Sequence, residues 1–315
     1  DYADALYNLA VTLHEMGQLE GAICYYKKTV NVSPDYSQAH SNLGILLHEL
    51  GMSEEGIVYC YEAIAVNPQN VEAHFNLGVI QQDLGKKIEA LTCYKKALEI
   101  RDDFVKAQNN LGAVLQSLGR LDEAITSYLR TLKINPKLAE AYFNLHSVLL
   151  GSGDMEASMM HIKKAVDIEP SNTHYRFFLG LLLDYLGKSA EAEPHLDLAK
   201  KGTSFDRANI DAWHYIKSTT KQMPPMIGSS IQAFRAGIDA ALNDGLVLEF
   251  GVRFGTTIRQ IAALVEQDVH GFDSFQGLPE AWNDLPEGSY TTQGVIPSVP
   301  ENVICLLYTS PSPRD

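Results

Sequence analysis

Along the first two thirds of the chain, apolar side chains recur at steps of three and four residues in short blocks that flank a glycine. Leu43, Ile45, Leu46 and Leu47 precede Gly51, while Ile57, Tyr61 and Ile64 follow it. That spacing predicts two amphipathic helices joined by a tight reversal. The block returns six times: Gly17, Gly51, Gly85, Gly119, Gly153 and Gly187 share one step of 34 residues, and Leu9, Leu43, Leu77, Leu111, Leu145 and Leu179 keep it. A period of this length predicts stacked supersecondary units with one continuous core.

Two further slots are held small. Ala22, Gly56, Ala90, Ala124, Ser158 and Ala192 occupy one, and Thr29, Ala63, Ala97, Thr131, Ala165 and Ala199 the other. Larger side chains there would push the paired helices apart. Pro34, Pro68, Pro136 and Pro170 end their units because proline cannot extend the hydrogen-bond ladder, and Asp102 stands in that slot of the third unit.

These residues resemble the tetratricopeptide repeat over roughly residues 3–206, so an α solenoid of six repeats is expected across 1–206. Asn8-Leu9-Ala10, Asn42-Leu43-Gly44, Asn76-Leu77-Gly78 and Asn110-Leu111-Gly112 look most like the repeats of peptide O-GlcNAc transferase. The resemblance implies an inner groove that binds a protein or an extended peptide, with Asn8, Asn42, Asn76, Asn110 and Asn144 gripping the backbone through amides that donate and accept. The other reading of this ladder is that each asparagine bonds only a neighbouring helix and sets the twist of the stack. Phe178 ends the ladder. Glycosyl transfer is raised by the repeats alone and contradicted by the chain that follows them.

Composition narrows the partners. With 25 basic and 39 acidic residues the formal net charge is −14, which argues against a general grip on nucleic acid or anionic lipid. No apolar run approaches a membrane span. Cys24, Cys60, Cys93 and Cys305 show neither a CxxC pair nor metal-ligand spacing, so reduced packing thiols and a cytoplasmic location are expected. His14, His48, His161 and His195 lack ligand-spaced companions, and Tyr25, Tyr26, Tyr59, Tyr61, Tyr94 and Tyr128 fall at packing positions of the second helices. The opening Asp1-Tyr2-Ala3 lacks both Met and a leader and reads as an interior piece of a longer protein.

After Asp206 the period fails, and Pro224-Pro225 marks a linker or boundary over 207–228. A helix is expected through Ile231, Phe234, Ile238 and Leu242. Leu246 to Phe250 then reads as a buried strand, Gly251 to Gly255 as a turn into a helix at Thr256 to Ile261, and Val269 to Asp273 as a second strand. Strand, glycine turn, helix and strand ending in an acid form the half-unit of a doubly wound, Rossmann-like nucleotide-binding sheet. Arg253 fills the middle glycine position of the dinucleotide fingerprint, which argues against a pyrophosphate ligand.

The strings from Leu246 to Gly255 and from Gly271 to Trp282 resemble the macrocin O-methyltransferase branch of the class I S-adenosylmethionine-dependent methyltransferases. This resemblance implies that Glu249, Gly251, Gly255 and Thr256 line the methionine part of S-adenosylmethionine. It also implies that Asp273 takes the ribose hydroxyls, with Ser274 and Phe275 beside the adenine. Trp213 fits a stretch that precedes this domain in repeat-linked relatives. Residues 229–305 are too few for a whole domain of this class, so the expected α/β domain is partial and its cofactor binding weak or lost. The metal and catalytic residues of the family would lie further on, a divalent metal belonging to its full-length domain, and no catalytic or metal-binding residue is assigned. Glu280, Asp284 and Glu287 read as a solvated loop, and 306–315 as a disordered or artefactual tail. Two functions are expected in order: a repeat-scaffolded methyltransferase, inactive as it stands, acting on a protein, small-molecule or glycan acceptor, and alternatively a non-enzymatic adaptor for extended peptides.

Overall fold

A computed structural model describes residues 2–219 and three strands, 247–250, 269–273 and 303–307. The chain divides into two compact units, 1–228 and 229–315. In the first, six helical hairpins follow one another. They are α1 (Tyr2–Glu15) with α2 (Leu19–Val32), α3 (Ser37–Glu49) with α4 (Ser53–Val66), and α5 (Val71–Asp83) with α6 (Lys87–Ile100). The next three are α7 (Val105–Ser117) with α8 (Leu121–Ile134), α9 (Ala139–Ser152) with α10 (Met155–Ile168), and α11 (Thr173–Tyr185) with α12 (Ser189–Ala199). Each hairpin packs on the next, so the apolar face that no pair covers alone is covered by its neighbour.

The turn at Gly119 shows how each hairpin reverses. Its φ of +75° lies in the left-handed region, the Gly119 N–H reaches the Gln116 carbonyl at 2.9 Å, and the Arg120 N–H reaches back to the Leu115 carbonyl at 2.9 Å. The last carbonyls of α7 are thereby satisfied, a Schellman closure that a side chain with Cβ would strain. The other five turn glycines share the positive φ.

Close approach within a hairpin comes from a different glycine. A Cβ on Gly112 would lie 2.6 Å from the ring of Tyr128, which is fully buried. Tyr94 fills the same place under Gly78, and Cys60 under Gly44. In the second hairpin the buried tyrosine slot thus belongs to Cys60, and Tyr61, expected in the core, is 55% exposed on the outer side of α4. Tyr25 and Tyr59 are half-buried, while Tyr26, Tyr94 and Tyr128 are core residues. The fifth hairpin departs further, with His146 in the glycine slot; its Nδ1 lies 2.7 Å from the Ser158 hydroxyl, which also donates to the His146 carbonyl.

Residues 207–219, expected in a linker, belong instead to α13 (Ser204–Thr219), which packs on α11 and α12. Its start is fixed by a reciprocal cap: the Thr203 N–H donates to Asp206, and the Asp206 N–H to the Thr203 hydroxyl. Ile210 and Trp213 are buried, the indole of Trp213 donating to Asp184 at 2.9 Å. The linker reading failed because α13 leaves the 34-residue period while keeping an apolar face.

In the second unit β1 (Val247–Phe250), β2 (Val269–Asp273) and β3 (Val303–Leu307) form a parallel sheet in the order β1-β2-β3. Val247 pairs with Val269 and Phe250 with Phe272, so the carboxyl ends of β1 and β2 lie side by side. Leu306 and Leu307, expected in the tail, close β3; an apolar run beside an existing strand is better paired than solvated. The helices expected at 231–242 and 256–261 lie outside the described residues.

Candidate functional site

The first helices of the first five hairpins, α1 to α9 by odd numbers, carry the asparagine ladder. Asn42 donates to the Tyr7 hydroxyl at 3.0 Å and to that of Tyr26 at 3.4 Å. Asn76 donates to the Ser41 hydroxyl at 3.0 Å and the Ser41 carbonyl at 3.3 Å. Asn110 donates to the Tyr94 hydroxyl at 3.3 Å, and Asn144 to the Asn109 amide oxygen at 3.3 Å. Asn8, in the first hairpin, is exposed, and its side chain makes no hydrogen bond among the described residues.

A rule joins these contacts. Tyr7 and Asn42, Ser41 and Asn76, and Asn109 and Asn144 are each 35 residues apart, so these three rungs reach back to one slot of the preceding first helix. Where that slot is Phe75, which offers no acceptor, Asn110 turns to Tyr94 instead. Where the slot is Phe143, the rung itself is Phe178, and the two rings meet at 5.2 Å and 73°. Each of these amides thus donates between or within hairpins. Asn42, Asn76, Asn110 and Asn144 are half-buried, and their amide oxygens accept nothing among the described residues.

Acids flank the ladder. Glu140 accepts from the Asn109 amide at 3.0 Å, Asp83 meets His48 at 3.0 Å, and Glu49 meets His14 at 3.3 Å. Burial pushes the Tyr26 phenol up to about 12, with the Tyr7 phenol and the Glu15 carboxylate adding to the rise while the Asn42 hydrogen bond opposes it. Tyr94 is raised in the same way by burial first, then by Asp83 and Cys93 against the Asn110 hydrogen bond, and Tyr128 by burial and Glu140. The phenols stay protonated and act as neutral hydrogen-bond partners.

At the far end the face turns aromatic. His174 lies 5.1 Å from Phe143 and 4.9 Å from Phe178, and Tyr175 stacks on Phe143 at 5.1 Å. Beneath them His146 is buried, and desolvation, with the nearby His161, pushes its pKa down to about 4 against the Ser158 hydrogen bond. Neither this cluster nor the break in the ladder at Phe178 was given a functional reading from sequence, although the repeat register places Phe143 and Phe178 one unit apart.

Of the residues expected to hold S-adenosylmethionine, Gly251, Gly255, Thr256, Ser274 and Phe275 lie outside the described residues. Glu249 is on β1 and Asp273 ends β2, each placed by its backbone alone. Among the described residues no cluster of three or more His, Cys, Asp or Glu could hold a metal ion, and no helix is long and apolar enough to cross a membrane.

Hairpins of fixed length, each closed by a glycine and packed on the next, define an α solenoid of helix-turn-helix repeats. The TPR repeat model matches residues 12–51 and 117–153, and tetratricopeptide repeat models match 37–70, 71–104, 93–126 and 139–172. The array therefore belongs to the tetratricopeptide repeats, whose matches run without a break from 12 to 172. Solved structures with the same fold include the type IV pilus biogenesis factor PilW (16% identity, 67% of this chain and 99% of that one, TM-score 0.61). PilF of Pseudomonas aeruginosa gives 16% identity over 67% of this chain and 96% of its own, with a TM-score of 0.60. YrrB gives 18% identity over 61% of this chain and 97% of its own, with a TM-score of 0.50. No curated protein matches the chain. None of the matched family models falls on residues 229–305, so the likeness to a methyltransferase gains no support there, nor does the finer likeness to O-GlcNAc transferase.

Proposed function

We propose that the repeat array is a docking scaffold that holds an extended segment of another protein along its first-helix face. The observation that carries this reading is the ladder itself: Asn42, Asn76, Asn110 and Asn144, one per hairpin from the second to the fifth, each donate inside the stack, stay half-buried and accept no protein hydrogen bond among the described residues. A row of fixed acceptors suits the N–H groups of an extended backbone, which recur without regard to side chain. The curvature of stacked repeats gives such a face length. YrrB, which shares the fold, is described as having an unusual peptide-binding site. Both readings of the asparagines then hold together, one for each half of the amide.

An array of unstructured peptides probed with the full chain tests this, followed by anisotropy titration of the tightest binder. Asn42→Ala with Asn110→Ala should weaken that binder about tenfold while the helical circular dichroism is kept, the loss expected of two hydrogen bonds. Unchanged affinity would reject the face as the docking site.

A second reading rests on the parallel order β1-β2-β3 and the adjacent carboxyl ends of β1 and β2. That is the strand order of one half of a doubly wound sheet, whose ligands bind beyond the carboxyl ends. On this reading Asp273 binds the ribose of S-adenosylmethionine and the scaffold presents its partner to a methyl donor. Calorimetry with S-adenosylhomocysteine decides it: heat that vanishes in Asp273→Ala supports the cofactor, and no heat in the wild type removes it.

A further inference from the structure

Two features of the first-helix face are unequal along its length. From the first hairpin to the fifth it carries carboxylates, Glu15 on α1, Glu49 on α3, Asp83 on α5 and Glu140 on α9, all exposed, with none on α7. None has a lysine or arginine partner among the described residues. Glu72 is paired with Arg101 at 2.9 Å, so it adds less. The basic residues of the first helices are Lys106 and Arg176, and Arg176 is spent on the Pro170 carbonyl and His195. Toward the last hairpins the amide rung is replaced by the half-buried pair Phe143 and Phe178, with His174 packed edge-on against Phe178.

We infer, resting on the docking function above, that the bound segment is cationic where it crosses the first five hairpins and seats one bulky apolar side chain on the Phe143–Phe178 pair, between the fifth and the sixth. The chemistry is complementary at both ends. Lysine or arginine side chains of an extended strand alternate sides, so those on the scaffold side meet Glu49, Asp83 and Glu140 beside the amide oxygens that hold the backbone. A phenylalanine, leucine or tryptophan beyond the ladder finds the half-buried rings of an aromatic cluster and no amide rung, because Phe178 has removed the polar rung there. The sequence of acid first and aromatic last gives the face a direction, so a segment and its reverse are not equivalent ligands.

The test uses the full chain and three labelled peptides: a lysine/serine repeat carrying one terminal tryptophan, the same peptide with glutamate for lysine, and the same peptide with serine for tryptophan, each in both chain directions. The lysine–tryptophan peptide should bind about tenfold more tightly than either control in one direction, and the charge preference should shrink as salt is raised. Asp83→Asn with Glu140→Gln should remove most of the charge preference, whereas Glu54→Gln with Glu156→Gln on the second helices should not. Phe178→Asn, which restores the repeat's own residue, should abolish the preference for tryptophan and keep that for lysine. Equal binding of the charged peptides, or equal losses in the two double variants, would overturn the inference. If array peptides bind the face without such preferences, the docking function stands and this inference fails; if no peptide binds the face at all, both fail.

Discussion

Phe178 meets Phe143 edge-on at 5.2 Å, in the same register in which Asn144 donates to Asn109 one hairpin earlier. A hydrogen-bonded rung has become an aromatic one at a single step of the repeat. The two kinds of rung are held by different forces, and they should respond differently to substitution. Phe143→Ala is expected to cost about 3 kcal/mol because it removes a partly buried ring from a cluster of aromatic contacts. Asn144→Ala should cost only about 1 kcal/mol, one hydrogen bond exchanged for water. Denaturant unfolding of the two variants measures the difference, and equal losses would show that the rungs are not distinct.

The buried His146 predicts an acid sensitivity. Its pKa falls from 6.5 to about 4 in the folded chain, so the unfolded chain binds the extra proton between those values. Stability from this group is complete above about 6.5 and is lost as the pH drops toward about 4, by roughly 3 kcal/mol for a shift of this size. His146→Gln should flatten the slope of unfolding free energy against pH within that window. A slope unchanged in the variant would place the sensitivity elsewhere.

Glycines in the two recurring roles of the hairpin should fail for different reasons. Gly112→Ala drives a Cβ to 2.6 Å from the Tyr128 ring and should cost about 1–3 kcal/mol through overpacking. At Gly119 a Cβ meets nothing within 4 Å, but the φ of +75° is unfavourable for alanine, and the expected cost is about 1 kcal/mol. Pairing Gly112→Ala with Tyr128→Phe should not relieve the loss, since the ring rather than the hydroxyl is in contact. Relief would point to the Tyr128–Gln116 hydrogen bond instead.

The end of the array depends on Asp184. Burial works to raise its pKa, yet hydrogen bonds from Lys217, Ser189 and Trp213 outweigh it and hold the carboxyl below the ordinary range. Asp184→Ala should therefore cost about 1–3 kcal/mol and leave the indole N–H of Trp213 unpaired. Hydrogen exchange should show α13 opening before α11 in the variant. Protection of α13 equal to that of the wild type would mean that the buried Ile210 and Trp213 suffice to hold it.

Thiol reactivity separates the cysteines. Burial, with the Cys93 thiol adding to it, pushes Cys60 up to about 12, and burial with Glu89 pushes Cys93 up to about 11, whereas Cys24 is exposed. Brief alkylation at neutral pH with peptide mapping should mark Cys24 and spare Cys60 and Cys93 until the chain is unfolded, since only the thiolate reacts. Early labelling of Cys60 would show that the second hairpin opens locally.

Six hairpins, their turns and their small-residue contacts were legible in the sequence because a repeat writes the same physical demand at every period: a glycine where φ is positive, a small residue where helices touch, a proline where the helix stops. The parallel pairing of β1 with β2 was likewise anticipated from two short apolar runs bounded by glycine and acid. What sequence left open lay between units. The destination of each amide hydrogen, the exchange of Tyr61 for Cys60 in the core and the docking of α13 depend on which neighbour stands opposite, and that neighbour lies a full repeat or more away along the chain. Periodicity fixed which residues face inward on each helix; only the stacked structure decided to which acceptors the asparagines give their donors, because a hydrogen bond is settled by geometry that neither partner carries alone.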